Sequence, residues 1–298
     1  VAYQAVFMLT TIWVVYKGVG EGIEKYCKFL MPALFLILFV LIARSVTLEG
    51  AAKGLDFYLR PDFSKITGTS IATALGQAFF SLSLGMGCMI TYGSYVDKQT
   101  TLPSSAVQVC VIDTLVAFLA GLVIFPAVFA FGVDAGAGPG LTFVTLPSVF
   151  AMMPGGMIWS ALFFLLLYIA ALTSAISLLE VVSAYFIDRG WSRPKAAVIM
   201  GFLIFALGVP CATSLSGAPK VYGKDFFDAM DFLSSNVLLP LGGVFISLFV
   251  GWFWTNDARK EVTNEGAHGF TLLEVWIWIC RVVAPAAILY IFYTGLKW

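Results

Sequence analysis

Eight times this chain runs apolar for about 20 residues, the length that carries a helix across the hydrocarbon of a bilayer. The segments fall at 1–17, 27–46, 71–95, 104–132, 157–187, 195–213, 231–255 and 271–296. They are continuously apolar rather than alternating with period two, so each predicts a helix and not a barrel strand. Hydrophobic residues make up 60% of the 298 and charged residues 11%, and the mean hydropathy is +0.94. A soluble domain of this size lacks the polar groups to cover so much apolar surface. The fold class that follows is an all-α polytopic membrane protein, with one transmembrane domain over 1–298. The chain opens Val1-Ala2-Tyr3, without the basic start and small-residue cleavage site of a signal peptide. The expectation is a beginning inside a spanning helix, with further helices before it.

Formal net charge is zero and no basic stretch forms a polyanion-reading patch, which argues against a nucleic-acid partner. Cys27, Cys88, Cys110, Cys211 and Cys280 are odd in number and scattered, with no ligand-like spacing to His268, so inert thiols are expected rather than disulfides or zinc. The Asp134–Gly156 connection is rich in Gly and Pro yet carries Leu146-Pro147-Ser148-Val149-Phe150, which predicts a loop laid onto the protein. Turns near 17–28, 97–98, 189–195 and 259–260 hold nine Lys and Arg against seven in the opposite set, and the richer set is assigned to the cytoplasm. Arg281 remains inside the last span, while Trp252, Trp254, Trp276 and Trp278 read as interface anchors.

Polar groups inside the spans carry the functional signal. The third segment holds Gln77, Ser81 and Ser83, then Gly85-Met86-Gly87 at its middle. Each glycine weakens a helix by roughly 1 kcal/mol against alanine. A break at that depth frees backbone groups, tolerable only beside a cavity or a protein partner. Such carbonyls could coordinate a cation; equally, the glycines could serve close helix packing, with serines bonded to the preceding turn. Asp113 in the fourth segment is a carboxylate in hydrocarbon, a functional candidate by default. In the fifth, Ala170, Thr173, Ser174 and Ser177 share one face at i, i+3, i+4, i+7, which suits tight packing or an all-oxygen cation site. Glu180 below them is either an ion relay or a charge satisfied inside the bundle. Asp231 is read as opening the seventh segment, where a helix-start acid is an ordinary cap.

Together these segments resemble a known family. Gln77-Ala78-Phe79-Phe80-Ser81-Leu82-Ser83-Leu84-Gly85-Met86-Gly87 is similar to the unwound sixth helix of the neurotransmitter:sodium symporters. Asp113-Thr114, with the run Ala120-Gly121-Leu122-Val123-Ile124-Phe125-Pro126, resembles the seventh helix of the bacterial branch, and Ala170-Ala171-Leu172-Thr173-Ser174 the eighth. The resemblance implies an inverted-repeat transporter fold with discontinuous helices, in a bacterial inner membrane, importing an amino acid with sodium by alternating access. The chain would run from the fourth helix onward, with the N-terminal helices missing.

By the same resemblance Phe80, Ser81, Ser83, Met86, Ser174 and Leu178 would contact the substrate. Ser81 and Asp113 would belong to one sodium site, and Ala170, Thr173 and Ser174 to a second, each completed by the missing helices. Asp231 would be an outer-gate acid, with Tyr95 and Asp188 at the inner gate. Many animal members have Asn at the position of Asp113 and a chloride-binding Ser where this chain has Ala117. The Asp113 carboxylate would therefore stand in for chloride, with Gln77 near the vestigial anion site. Met86 replaces a frequent bulky aromatic and adapts to large apolar solutes, which implies a hydrophobic, even aromatic, L-amino acid. The alternatives are another sodium- or proton-coupled carrier of the same fold, a channel, or an intramembrane hydrolase using Ser81 or Ser83. The last lacks a Gly-x-Ser-x-Gly elbow.

Overall fold

A computed structural model describes residues 1–132, 140–214, 225–267 and 269–296. His268 lies outside them. In order come α1 (Ala2–Tyr16), α2 (Lys25–Val46), α3 (Ala51–Leu59), α4 (Gly68–Ser81), α5 (Cys88–Gly93), α6 (Leu102–Ala130), α7 (Leu146–Met152), α8 (Gly156–Ile187), α9 (Arg193–Ala212), α10 (Phe226–Asp231), α11 (Leu239–Leu248), α12 (Thr255–Val262), α13 (Leu273–Trp278) and α14 (Ala284–Gly295). Among the described residues there is no strand. Among the described residues six continuous helical spans are long and apolar enough to cross a bilayer: Val19–Val46, Leu102–Ala130, Gly156–Ile187, Arg193–Ala212, Phe226–Phe253 and Leu273–Gly295. The first apolar segment is the shorter α1, and the third is divided between α4 and α5.

Proline placement explains why several spans change pitch. Three π-helical stretches, Leu141–Thr145, Phe232–Leu238 and Ile279–Val283, each end two residues before a proline: Pro147, Pro240 and Pro285. Proline has no N–H for the carbonyl four back, and its ring would strike that carbonyl. A widened turn makes room and leaves carbonyls open for other donors. The helical run that contains Asp231 begins at Phe226, five residues before the predicted start. Asp225, with extended backbone at ψ 150°, holds the N-cap position, and Ser214 Oγ accepts the Phe227 N–H at 3.1 Å. Asp231 therefore lies inside the helical run and is not its cap.

Two compact units are distinguishable. The first comprises Val1–Tyr16, Ile66–Val111 and Ser177–Trp298. Within it Gly201 on α9 lets Ile12 of α1 approach, and Gln4 Nε2 donates to the Phe205 carbonyl at 3.3 Å. Phe79, Val244 and Ile288 form an apolar cluster joining α4, α11 and α14. Asn236 Nδ2 donates to the Gly295 carbonyl at 2.9 Å, and Ser247 Oγ to the Cys280 carbonyl at 2.7 Å.

The second unit comprises Lys17–Lys65 and Ile112–Ile176. Its core gathers Leu38, Leu41, Val123, Val128, Leu146, Val149, Phe150 and Phe163. The apolar part of the 134–156 connection is thus the buried face of α7, as its sequence suggested; residues 133–139 lie outside the description. Ser45 Oγ donates to the Val123 carbonyl at 2.6 Å. Gly54 meets the Phe125–Pro126 backbone, where a Cβ would stand 2.7 Å from Pro126 Cα.

Candidate functional site: the interrupted α4–α5 span

Helix α4 starts on a capping box: Thr67 Oγ1 accepts the Ser70 N–H at 3.1 Å, and Ser70 Oγ accepts the Thr67 N–H at 3.4 Å. It ends on a Schellman closure. The Leu84 N–H reaches the Phe79 carbonyl and the Ser83 N–H the Phe80 carbonyl, each at 3.0 Å. The left-handed residue of such a closure is normally glycine, but here it is Ser83 at φ 55°. That choice costs about 1 kcal/mol of backbone strain. Gly87 at φ 83° then caps α5. From Leu82 to Met86 no carbonyl accepts a backbone hydrogen bond among the described residues.

What holds the break is backbone packed on backbone. At Gly85, φ 79°, a Cβ would strike the Leu239 carbonyl oxygen of α11. At Gly242 it would lie 2.6 Å from the Gly85 carbonyl oxygen, and at Gly243 it would meet the Phe79 ring. At Gly87 it would come 3.1 Å from Val181 of α8, one turn beyond Leu178 on the same face. The Gly242-Gly243 pair is the partner that reading α4 alone does not reveal; a glycine doublet in an apolar span is its sequence signal.

A cavity of about 500 Å³ in the first unit is lined by Gln77, Phe80 and Asp231, with Thr73, Asn236 and Thr294. Phe80 is 49% exposed. Asp231 accepts from Ser235 Oγ at 3.0 Å. Thus three residues singled out for separate roles (substrate, anion site and outer gate) face one space.

Glu180 is fully buried. Arg193 Nη1 donates to its two carboxylate oxygens at 2.7 and 2.9 Å, and Tyr95 OH to Oε1 at 2.6 Å. Glu180 is therefore the satisfied charge of the two readings. Tyr95 pairs with it and not with Asp188, which is exposed at the end of α8. Arg193, the partner that sequence reasoning missed, opens α9 across a turn whose geometry no local motif announces. Nearby, Tyr92 OH donates to Ser177 Oγ at 2.7 Å.

In the second unit Thr173 Oγ1 and Ser174 Oγ donate back to the Ala170 carbonyl at 2.9 and 3.4 Å. This gathers three oxygens within one turn of α8. Neutral oxygens of this kind suit a hard cation such as sodium. Asp113 is half-buried on α6. It and Ser81 belong to different units.

Against known proteins, the profile of the sodium:neurotransmitter symporter family matches residues 1–297. The chain belongs to that family. It is 42% identical over 296 residues to an uncharacterized sodium-dependent transporter of Bacillus subtilis, covering 98% of this chain and 65% of that protein. It is 39% identical to a second such transporter from Haemophilus influenzae, again over 65% of its length. The chain thus spans slightly less than two thirds of these relatives. A Drosophila sodium- and chloride-dependent GABA transporter is 27% identical over 88% of the chain. Among solved structures, MhsT in complex with L-phenylalanine is 46% identical, with a TM-score of 0.86 over 99% of this chain and 67% of that one. The fold is accordingly the inverted-repeat symporter fold with discontinuous helices, in a multi-pass protein of the bacterial inner membrane. Symporter membership decides against the intramembrane hydrolase.

Proposed function

We propose that the full-length protein is a sodium-coupled symporter that imports hydrophobic, including aromatic, L-amino acids and needs no chloride. The observation that carries this reading is the break at Leu82–Met86. It leaves carbonyls without backbone partners beside Phe80, in a chain similar to MhsT, which was solved in complex with L-phenylalanine. Open carbonyls and helix ends at mid-membrane attract an ammonium group and a cation. Phe80, Ser81 and Ser83 hold the amino acid from the α4 side, Met86 and Leu178 shape the space for its side chain, and Ser174 is a further substrate contact in this proposal. A thioether flanked by glycines repacks around rings of different size.

In this proposal Ser81 and Asp113 are each sodium ligands, and the Ala170 carbonyl, Thr173 and Ser174 serve a separate sodium site. Sodium supplies the downhill gradient, and its charge draws these oxygens together. Asp113 is a fixed negative charge where chloride-dependent relatives need a bound anion, with Gln77 near the vestigial site. Asp231 serves the outer gate. Tyr95 and Asp188 serve the inner one, Tyr95 through Glu180. The test is uptake of labelled L-phenylalanine into proteoliposomes holding the full-length protein. Accumulation under an inward sodium gradient, undiminished when gluconate replaces chloride, supports the proposal. Uptake that ignores sodium, or that glycine competes for better than leucine, overturns it.

A further inference from the structure

Arg281 sits within the last apolar span, yet nothing in the transport cycle proposed above uses it. It lies in the π-helical stretch Ile279–Val283, eight residues past the start of α13. At 1.5 Å per residue that is about 12 Å along the axis. Facing it is a second π-helical stretch, Phe249–Phe253, at the end of the preceding span. The two backbones touch, because a Cβ on Gly251 would stand 2.8 Å from Arg281 Cγ and 2.9 Å from its Cα. Arg281 Nε donates to the Gly251 carbonyl, and Trp252 Nε1 donates to the Arg281 carbonyl at 3.3 Å. The guanidinium carbon is 5.7 Å from the centre of the Trp252 ring.

Of the guanidinium nitrogens, Nε makes the hydrogen bond to protein. Among the described residues no group accepts a hydrogen bond from Nη1 or Nη2, and no carboxylate lies within ion-pair distance. The nearby basic residues are already engaged, Arg259 with Glu274 at 2.7 Å and Lys260 with Asp257 at 3.6 Å. A guanidinium does not shed its proton, so the charge persists at this depth. Around it the surface is apolar and open: Trp252 is 62% exposed, Phe253 85% and Trp278 61%. Exposed tryptophans at the end of a span mark headgroup depth.

We propose that Arg281 and Trp252 form a binding site for the phosphate of an anionic phospholipid of the phosphatidylglycerol type, in the leaflet on the α12 side. The planar fork offers two parallel N–H groups to two phosphate oxygens. A lipid carrying net negative charge neutralises a cation that has no protein counter-ion, whereas a zwitterionic headgroup brings its own cation. The acyl chains lie over Phe253 and Trp278. Free phosphate would leave that apolar surface uncovered.

The test uses the full-length protein in nanodiscs containing a photoactivatable phosphatidylglycerol, with crosslinks mapped by peptide mass spectrometry. Crosslinks should concentrate on residues 249–254 and 278–283. Unlabelled phosphatidylglycerol should displace them, while phosphatidylcholine and inorganic phosphate should not. Arg281→Gln should lower labelling there about tenfold, the scale of one charge-assisted pair of hydrogen bonds, with labelling elsewhere unchanged. Competition in the unmutated protein decides the question even if that variant folds poorly. Evenly spread labelling, equal competition by phosphatidylcholine or by phosphate alone, or full labelling in a folded Arg281→Gln protein overturns the proposal.

Discussion

Arg193 and Glu180 stand 13 residues apart in sequence, and Nη1 of the first is bound to both carboxylate oxygens of the second. Glu180 has no solvent-exposed surface while the Arg193 side chain keeps 24% of its own, so the pair is reached from one side only. Removing one partner from such a pair strands a charge in low dielectric and costs about 3 kcal/mol or more. Glu180→Gln should therefore lower the melting temperature in detergent markedly, and Arg193→Gln at least as much. Tyr95→Phe removes one hydrogen bond to the carboxylate and should cost about 1 kcal/mol. Thermal denaturation of the three variants checks the order.

The break at Gly85 depends on backbone contact, not on flexibility. A methyl group there meets the Leu239 carbonyl, and the positive φ penalises any L side chain as well. Gly85→Ala should abolish substrate binding and destabilise the protein. Ser83→Gly, which relieves a left-handed serine, should stabilise it by about 0.5–1 kcal/mol. Because it removes a proposed substrate contact, it should also weaken amino acid binding. Melting curves and binding assays on the same preparations separate the two effects.

Thr173→Val keeps shape and volume but removes the hydroxyl that donates to the Ala170 carbonyl. Back-bonding of this kind adds little to helix stability, so the melting temperature should hold. The sodium concentration needed for half-maximal uptake should rise about tenfold, corresponding to roughly 1.4 kcal/mol of lost coordination. A sodium titration of uptake reads it directly.

If the Asp113 carboxylate replaces a bound anion, neutralising it should create a need for one. Asp113→Asn combined with Ala117→Ser should make uptake chloride-dependent, whereas the parent is indifferent to chloride. Uptake in chloride against gluconate is the measurement. Equal dependence, or equal indifference, in both proteins would contradict the stand-in role.

The helical membrane fold was legible because about 20 continuous apolar residues admit few other structures. The interruption at Gly85-Met86-Gly87 was legible for a related reason: two glycines at that depth make a helix easy to open. Less accessible was the partner that holds it open, since Gly242-Gly243 lies more than 150 positions away and only folding brings it to Gly85. Glu180 could be read as costly but not as satisfied, because Arg193 reaches it across the α8–α9 turn. Asp231 stands at the polar edge of an apolar run, where a cap or a partner of the helix dipole is the ordinary reading of an acid. The helix starts earlier, at Phe226, where Asp225 provides the extended N-cap backbone. Three of the π-helical stretches were latent in Pro147, Pro240 and Pro285, whose missing N–H groups favour a local change of pitch.

The coupling of sodium to the site at the broken helix is tested most directly by equilibrium binding of labelled L-phenylalanine to the purified full-length protein. Sodium would be varied at constant ionic strength, with choline as the replacement cation. Affinity should climb with sodium, and leucine or tryptophan, but not glycine, should compete. An affinity that stays flat as sodium rises would contradict a sodium-coupled amino acid site.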